Sequence, residues 1–139
     1  MAITTTMCTS FKQELLEAEH DFTADTFKVA LYAYTATLGA STTAYSTSDE
    51  VTGTGYTAGG KTLTTVAPTT SNNVAYVDFN DVTWTSSTIT ARGMLIYNSS
   101  KSNKAVAVYD FGSNQSSSSS TFTVEFPTAA SGTAIVRIE

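Results

Sequence analysis

The sequence predicts a mainly β fold: a single antiparallel β-sandwich or jelly-roll-like domain of about eight strands with one short N-terminal helix. Beyond about residue 26, apolar and polar residues alternate at every second position, which is typical of half-buried strands. Thr and Ser make up about a third of the 139 residues; the branched Cβ of Thr favours strands, and Ser favours turns. At this length we expect one domain with one core.

The first predicted element is a helix over residues 10–20, preceded by a flexible N-terminal arm over residues 1–9. Ser10 and Gln13 have the spacing of a capping box, in which each side chain bonds the other residue's backbone amide. His20 would lie near the C-terminal end of this helix, where its positive form suits the helix dipole, and we expect it at the surface. The sandwich domain would then comprise residues 10–139.

The apolar face of this helix supplies three interface candidates. Phe11 and Leu15 recur at helical spacing, and Leu16 stands beside them. Contact with a neighbouring molecule competes here with the commoner alternative, in which such a face packs against the protein's own sheet. For the polar, uncharged arm over residues 1–9, folding onto a neighbour likewise competes with plain terminal disorder.

Eight short segments after the helix have the alternation of strands. Residues 99–103 have hairpin-loop length, and the serine run 116–120 is expected as an exposed loop tip. The predicted strands occupy residues 26–34, 61–67, 74–79, 82–85, 92–98, 104–111, 121–126 and 133–138.

A long segment over residues 35–60 interrupts this pattern. It is rich in Thr, Ser and Gly and has few large apolar residues. Long irregular loops in a small domain are usually functional or mobile. Tyr45 and Tyr56 lie in it, and we therefore take both as candidates for contact with a partner.

The most conspicuous motif is the string GYTAGGKT at residues 55–62, which matches the phosphate-binding pattern GxxxxGK[ST]. That chemistry requires a buried strand before the loop and a helix after it, with the helix N-terminal amides facing the phosphates. Here residues 61–67 are β-branched and Pro68 follows, so a strand is predicted instead. We expect a turn and no bound nucleotide or other cofactor.

No residue combination predicts catalysis. His20 is the only histidine, and Cys8, the only cysteine, has no basic residue near it in the sequence. Asp78, Asn80 and Asp81 offer oxygens that Ca²⁺ could use, with Asp49 and Glu50 on the long segment as distant candidates. Asn-Asp is also ordinary turn chemistry, however, and calcium needs six to eight ligands. We therefore predict a protein that is not an enzyme, with no catalytic, cofactor or metal residues.

Charge and hydropathy limit the classes of partner that we expect. The formal net charge is −5, and the seven basic residues are scattered, so neither nucleic acid nor an anionic membrane is an expected partner. No apolar run approaches the roughly 20 residues that span a bilayer. The first residues lack the basic and apolar regions of a signal peptide, and we expect the protein in the cytoplasm where it is made, or exported by a route other than secretion.

Several strings over nearly the whole chain give it a family resemblance. The strings are FKQELL at 11–16, HDF at 20–22, DTFKVALY at 25–32, GTGYTAGGKTL at 53–63, VTW at 82–84, ARGMLIYN at 91–98 and KSNKAVAV at 101–108. Through them the sequence resembles small virion structural proteins of tailed double-stranded DNA bacteriophages, which are usually encoded among the head and tail genes.

The resemblance implies a non-enzymatic virion component made in the host cytoplasm. The preferred expectation is a capsid decoration, or cement, protein that bridges capsid subunits. Its partners would be the major capsid protein and copies of itself, in a homo-oligomer within the virion. The alternative is a component associated with the tail, neck or fibres, with host glycans as conceivable ligands.

Overall fold

The computed structural model describes residues 2–139, and the fold within them is a mainly β sandwich of two antiparallel sheets with one short helix. This confirms the predicted fold class. The elements in chain order are β1 (Thr6–Met7), α1 (Thr9–Leu16), β2 (Phe27–Tyr32), β3 (Lys61–Thr62), β4 (Thr65–Ser71), β5 (Val74–Phe79), β6 (Val82–Asn98), β7 (Lys104–Val124) and β8 (Val136–Ile138).

The larger sheet has the strand order β1-β7-β6-β2-β3, and the smaller sheet has the order β4-β5-β8. Aromatic side chains join the two. Phe27 of β2 lies 6.0 Å, between ring centroids, from Phe79 of β5, and it stacks on Phe22 at 4.4 Å. Aromatic burial of this kind is a large part of the hydrophobic stabilisation of a core.

One long hairpin, β6 with β7, forms much of the larger sheet. The predicted loop over residues 99–103 is its turn, but the predicted strands 82–85 and 92–98 are one strand, as are 104–111 and 121–126. The serine run 116–120, predicted as a loop tip, lies inside β7. This prediction was wrong because Ser hydroxyls bond across the hairpin: Ser117 Oγ lies 2.8 Å from the Oγ of buried Ser87.

A wide bulge bends this hairpin near its middle. Four residues of β7, 111–114, lie opposite the single residue Arg92 of β6. Gly112 turns the chain there with φ +84°, a conformation that glycine adopts without steric strain. The Asp110 carboxylate holds the bulge in place, accepting hydrogen bonds from the Gly112 backbone at 2.8 Å and from Arg92 Nε at 2.9 Å.

The N-terminal segment is packed against the sandwich over residues 2–9, so the prediction of a flexible arm over residues 1–9 needs correction there. Ile3 is buried and forms a parallel bridge with Leu38. β1 pairs with β7, and the side chain of Cys8 is fully buried. Backbone groups of this segment form hydrogen bonds with neighbouring parts of the chain. Its uncharged, Thr-containing sequence did not predict this pairing. Met1 lies outside the described residues.

The helix is shorter than the predicted 10–20 and spans Thr9–Leu16. Cys8 takes the N-cap position and makes no side-chain capping bond, so the predicted capping box of Ser10 and Gln13 does not form. The helix ends early because Ala18 has φ +60°, which turns the chain back on itself. That turn carries His20 inward.

Candidate functional site

The long segment over residues 35–60 is organised around one carboxylate, that of Glu50. Glu50 Oε2 accepts a hydrogen bond from the Tyr45 hydroxyl at 2.7 Å, and Oε1 accepts one from the Tyr56 hydroxyl at 2.7 Å. The backbone nitrogen of Gly59 donates a third, to Oε1, at 2.8 Å. Hydrogen bonds to a carboxylate are about twice as strong as neutral ones, so Glu50 ties together residues from three parts of this segment.

The two tyrosines predicted as contact residues are therefore half-buried parts of this network. The Tyr56 hydroxyl also accepts a bond from the backbone nitrogen of Leu31 in β2, at 2.9 Å. Tyr45 stacks on Tyr97 with 4.7 Å between ring centroids. Burial raises the pKa of both hydroxyls above the usual value for tyrosine. Both hydroxyls bond groups of the chain itself, and contact of these two residues with a partner stays a prediction.

The glycine-rich string at residues 55–62 is followed by a strand and not a helix, as predicted, because Lys61 and Thr62 form β3. The single strand predicted over residues 61–67 is wrong, since β4 begins at Thr65 and belongs to the other sheet. The backbone amide of Gly59, which a phosphate cradle would need free, bonds Glu50 instead. Lys61 Nζ donates to the carbonyl oxygen of Thr83 at 2.5 Å and lies 5.8 Å from the centre of the Trp84 ring. The string therefore fastens this segment to the hairpin.

His20, expected at the surface, is buried in a polar cluster. Its Nε2 lies 3.0 Å from Glu14 Oε1, and its Nδ1 lies 3.0 Å from the side-chain nitrogen of Asn98. Asn98 is fully buried and also donates to Asp25 Oδ2 at 2.8 Å. Because the Asn98 nitrogen can only donate, Nδ1 accepts and Nε2 carries the proton that Glu14 accepts. Lys104 completes the cluster, 3.7 Å from Glu14 Oε2.

Asp78, considered above for Ca²⁺, is 1% exposed, and its Oδ1 bonds its neighbour's backbone nitrogen, that of Phe79, at 2.9 Å. Its Oδ2 has no hydrogen-bond partner among residues 2–139. Desolvation raises the pKa of this carboxyl. Asp81 instead accepts a bond from the backbone nitrogen of Phe126 at 2.7 Å. Within the described residues, no three His, Cys, Asp or Glu side chains are grouped as metal ligands would be.

The three helix candidates have different surroundings. Phe11 is fully buried, 4.9 Å from His20 between ring centroids, so it cannot contact a partner; the helix uses this ring to pack on its own core. Leu16 is 91% exposed. Leu15 is half-buried and lines a shallow cavity of about 100 Å³, called here the helix groove. Its other lining residues are Phe22, Pro68, Ala75, Tyr76, Val77, Val136 and Ile138.

The sequence reasoning missed the central role of Glu50 and Asn98. Glu50 stands in a run of polar residues with no periodicity, and Asn98 ends a strand where a turn residue is ordinary. A signal was nevertheless present for Glu50, since it is one of two carboxylates, with Asp49, between two tyrosines that are eleven residues apart along a segment poor in other large side chains.

None of the helices in residues 2–139 has the length and apolar character needed to cross a membrane. Compared with models of protein families, with curated proteins and with solved structures, the chain matches none of them.

Proposed function

We propose that this chain is a non-enzymatic structural protein of a tailed bacteriophage, acting as a capsid decoration protein that bridges and stabilises capsid subunits. The resemblance of its sequence to small virion proteins supports the proposal. The fold is compatible with it, because a sandwich whose loops are fastened internally presents a stiff surface to its neighbours. Glu50 and Asn98 each make three side-chain hydrogen bonds within residues 2–139, and their partners are groups of the chain itself.

The observation that carries the proposal is the apolar surface at the end of α1. Leu16 is 91% exposed, and the preceding residue, Leu15, lines the helix groove. Ile138, which also lines that groove, is 56% exposed. Apolar area removed from water stabilises a complex by about 25 cal/mol per Å², and clustered exposed apolar side chains are typical of interaction sites.

A decoration protein needs no strong single contact. Identical small interfaces repeat around a closed shell, and several contacts that engage together bind far more tightly than each one alone. In this proposal the helix groove receives an apolar side chain of the major capsid protein, and contacts with copies of the same chain extend the bridge. The protein then resides in the virion after synthesis in the host cytoplasm.

The alternative is a position on the tail, neck or fibres. The same apolar surface would there bind a tail or neck protein instead. Parallel binding assays with purified capsids and with purified tails distinguish the two locations, because the chain should bind only the particle part that carries its partner.

The test is co-sedimentation of the purified chain with phage capsids stripped of bound accessory proteins. We expect saturable binding that Leu16→Asp and Ile138→Asp each weaken at least tenfold, because a buried unpaired charge is strongly unfavourable. Tyr34→Asp is the matched control, since Tyr34 is 63% exposed but belongs neither to α1 nor to the lining of the helix groove. Binding to tails but not to capsids, or equal binding by all variants, would refute the decoration role at this surface.

A further inference from the structure

A second, larger cavity lies beside the wide bulge of β7, and it is called here the bulge groove. Its volume is about 540 Å³, within the range of roughly 300–1,000 Å³ that small-molecule sites occupy. It shares no lining residue with the helix groove. Tyr109 and Phe111 line it at the bulge, and Thr121 and Thr123 line it further along β7. The bend of the hairpin therefore brings both stretches of β7 to one concave site.

The lining of the bulge groove combines apolar and polar side chains. Met94, Phe126 and Ile135 contribute apolar surface. Thr121 and Thr123 are exposed, and neither hydroxyl is engaged in a hydrogen bond within residues 2–139. A wholly apolar ligand would take water from these hydroxyls without replacing its hydrogen bonds, which is unfavourable. The lining favours a ligand that has both apolar faces and hydroxyl groups.

The charges of the bulge groove restrict the ligand further. Two carboxylates, those of Asp110 and Glu125, line it, whereas none of its lining residues in the described chain is Lys, Arg or His. Anionic ligands such as phosphates and sialylated sugars are therefore repelled. Asp110 Oδ1 is already bonded to Arg92 and to the Gly112 backbone. The carboxylate of Glu125 makes no hydrogen bond within residues 2–139 and remains available as an acceptor for ligand hydroxyls.

We infer that the bulge groove binds a neutral saccharide. The apolar face of a sugar ring packs against the aromatic side chains of Tyr109 and Phe111, whose rings are half-buried. The sugar hydroxyls bond Thr121, Thr123 and Glu125, which are exposed at every second position of one stretch of the chain. This inference is independent of where in a particle the protein lies, and it concerns a different surface from the one proposed for capsid contact.

The experiment is an NMR titration of the ¹⁵N-labelled full chain with cellobiose, lactose, maltose and N,N′-diacetylchitobiose, each up to tens of millimolar. At least one disaccharide should bind with a Kd on the order of 1 mM, as expected for a small open site. The shifted amide resonances should be those of residues around the bulge and residues 121–126. Glucuronic acid at the same concentrations should give no shifts there.

Two variants test the assignment. Phe111→Ala should weaken binding at least tenfold, and Thr123→Val should weaken it severalfold while keeping the shape and strand preference of the side chain. Thr123 is exposed, so this second variant remains informative if Phe111→Ala does not fold. Tyr34→Ala, an exposed aromatic outside the groove, should bind like the unaltered chain. The inference is overturned if no disaccharide shifts these resonances, if both groove variants bind unchanged, or if glucuronic acid binds equally well.

Discussion

Gly60 packs directly against β2, so closely that a Cβ added to it would overlap the carbonyl oxygen of Val29. Its backbone φ is +75°, in the left-handed region that favours glycine. The glycine-rich string that resembles a phosphate loop thus has a structural cause: only glycine allows the chain to reach the edge of β2 and begin β3. The close contact between Gly60 and Val29 predicts how a substitution of Gly60 affects stability.

Gly60→Ala should destabilise the fold by more than about 4 kcal/mol, or prevent folding, because backbone overlap cannot be relieved by a side-chain rotation. Gly132→Ala is the control, because a Cβ there meets nothing within 4 Å. Urea unfolding followed by tryptophan fluorescence measures both, since Trp84 is buried. A Gly60→Ala protein as stable as the Gly132→Ala protein would contradict this packing.

Tyr56→Phe should lower the free energy of unfolding by about 1–3 kcal/mol. The substitution removes the hydroxyl that bonds Glu50 and leaves the backbone nitrogen of Leu31 without its acceptor. Tyr34→Phe serves as the control because Tyr34 is 63% exposed, and it should change stability by less than about 0.5 kcal/mol. Equal effects in denaturant titrations would mean that the Glu50 network does not stabilise the long segment.

Phe11→Ala and Leu16→Ala should differ sharply although both residues lie on the same short helix. The Phe11 change removes a fully buried ring and should destabilise by about 3–5 kcal/mol. The Leu16 change should alter stability by less than about 0.5 kcal/mol, because that side chain is exposed. Thermal unfolding distinguishes them. A large loss of stability for Leu16→Ala would place that side chain in the core and remove it from the proposed capsid contact.

Asp78→Asn should change how stability depends on pH. Burial raises the pKa of Asp78 in the folded protein, so the folded state holds this proton more tightly than the unfolded state does. The resulting stabilisation is present below the unfolded pKa of about 4 and is lost as pH rises through the folded value. The variant should therefore gain stability relative to the unaltered chain between pH 4 and pH 7.

The control for that prediction is Asp110→Asn, because Asp110 should affect the pH dependence of stability in the opposite direction. The Gly112 amide and the Arg92 guanidinium lower the pKa of Asp110, so its stabilisation is present above the unfolded pKa and lost in acid. Asp110→Asn should then be less stable than the unaltered chain at pH 7 and approach it at low pH. If both variants follow the same trend in urea unfolding at several pH values, the assigned environments are wrong.

The fold could be predicted from the sequence where a local pattern determines the structure. The alternation in residues 74–79 gave β5 with its observed bounds, and the β-branched residues after Lys61 gave a strand instead of a helix. The serine run 116–120 was assigned incorrectly because Ser alone favours turns, whereas here the partner strand supplies hydroxyls such as that of Ser87. Tertiary pairing overrode local preference.

The candidate sites were harder to predict from the sequence, because they depend on contacts between distant parts of the chain. His20 becomes a core residue through Asn98, 78 positions away, and nothing near His20 in the sequence indicates it. The bulge groove depends on the four residues of β7 that lie opposite Arg92 alone, and only the register of the hairpin reveals them. Leu15 and Leu16, in contrast, were identified as interface candidates by helical spacing, and the structure leaves both at least partly accessible.

The proposed role on a phage capsid is best tested by reconstruction of the intact virion by cryo-electron microscopy. A decoration protein should give density for the sandwich on the outer capsid lattice, repeated with the capsid symmetry, with α1 and Ile138 facing the shell. Density for the chain only on the tail or neck, or none in the particle at all, would contradict it.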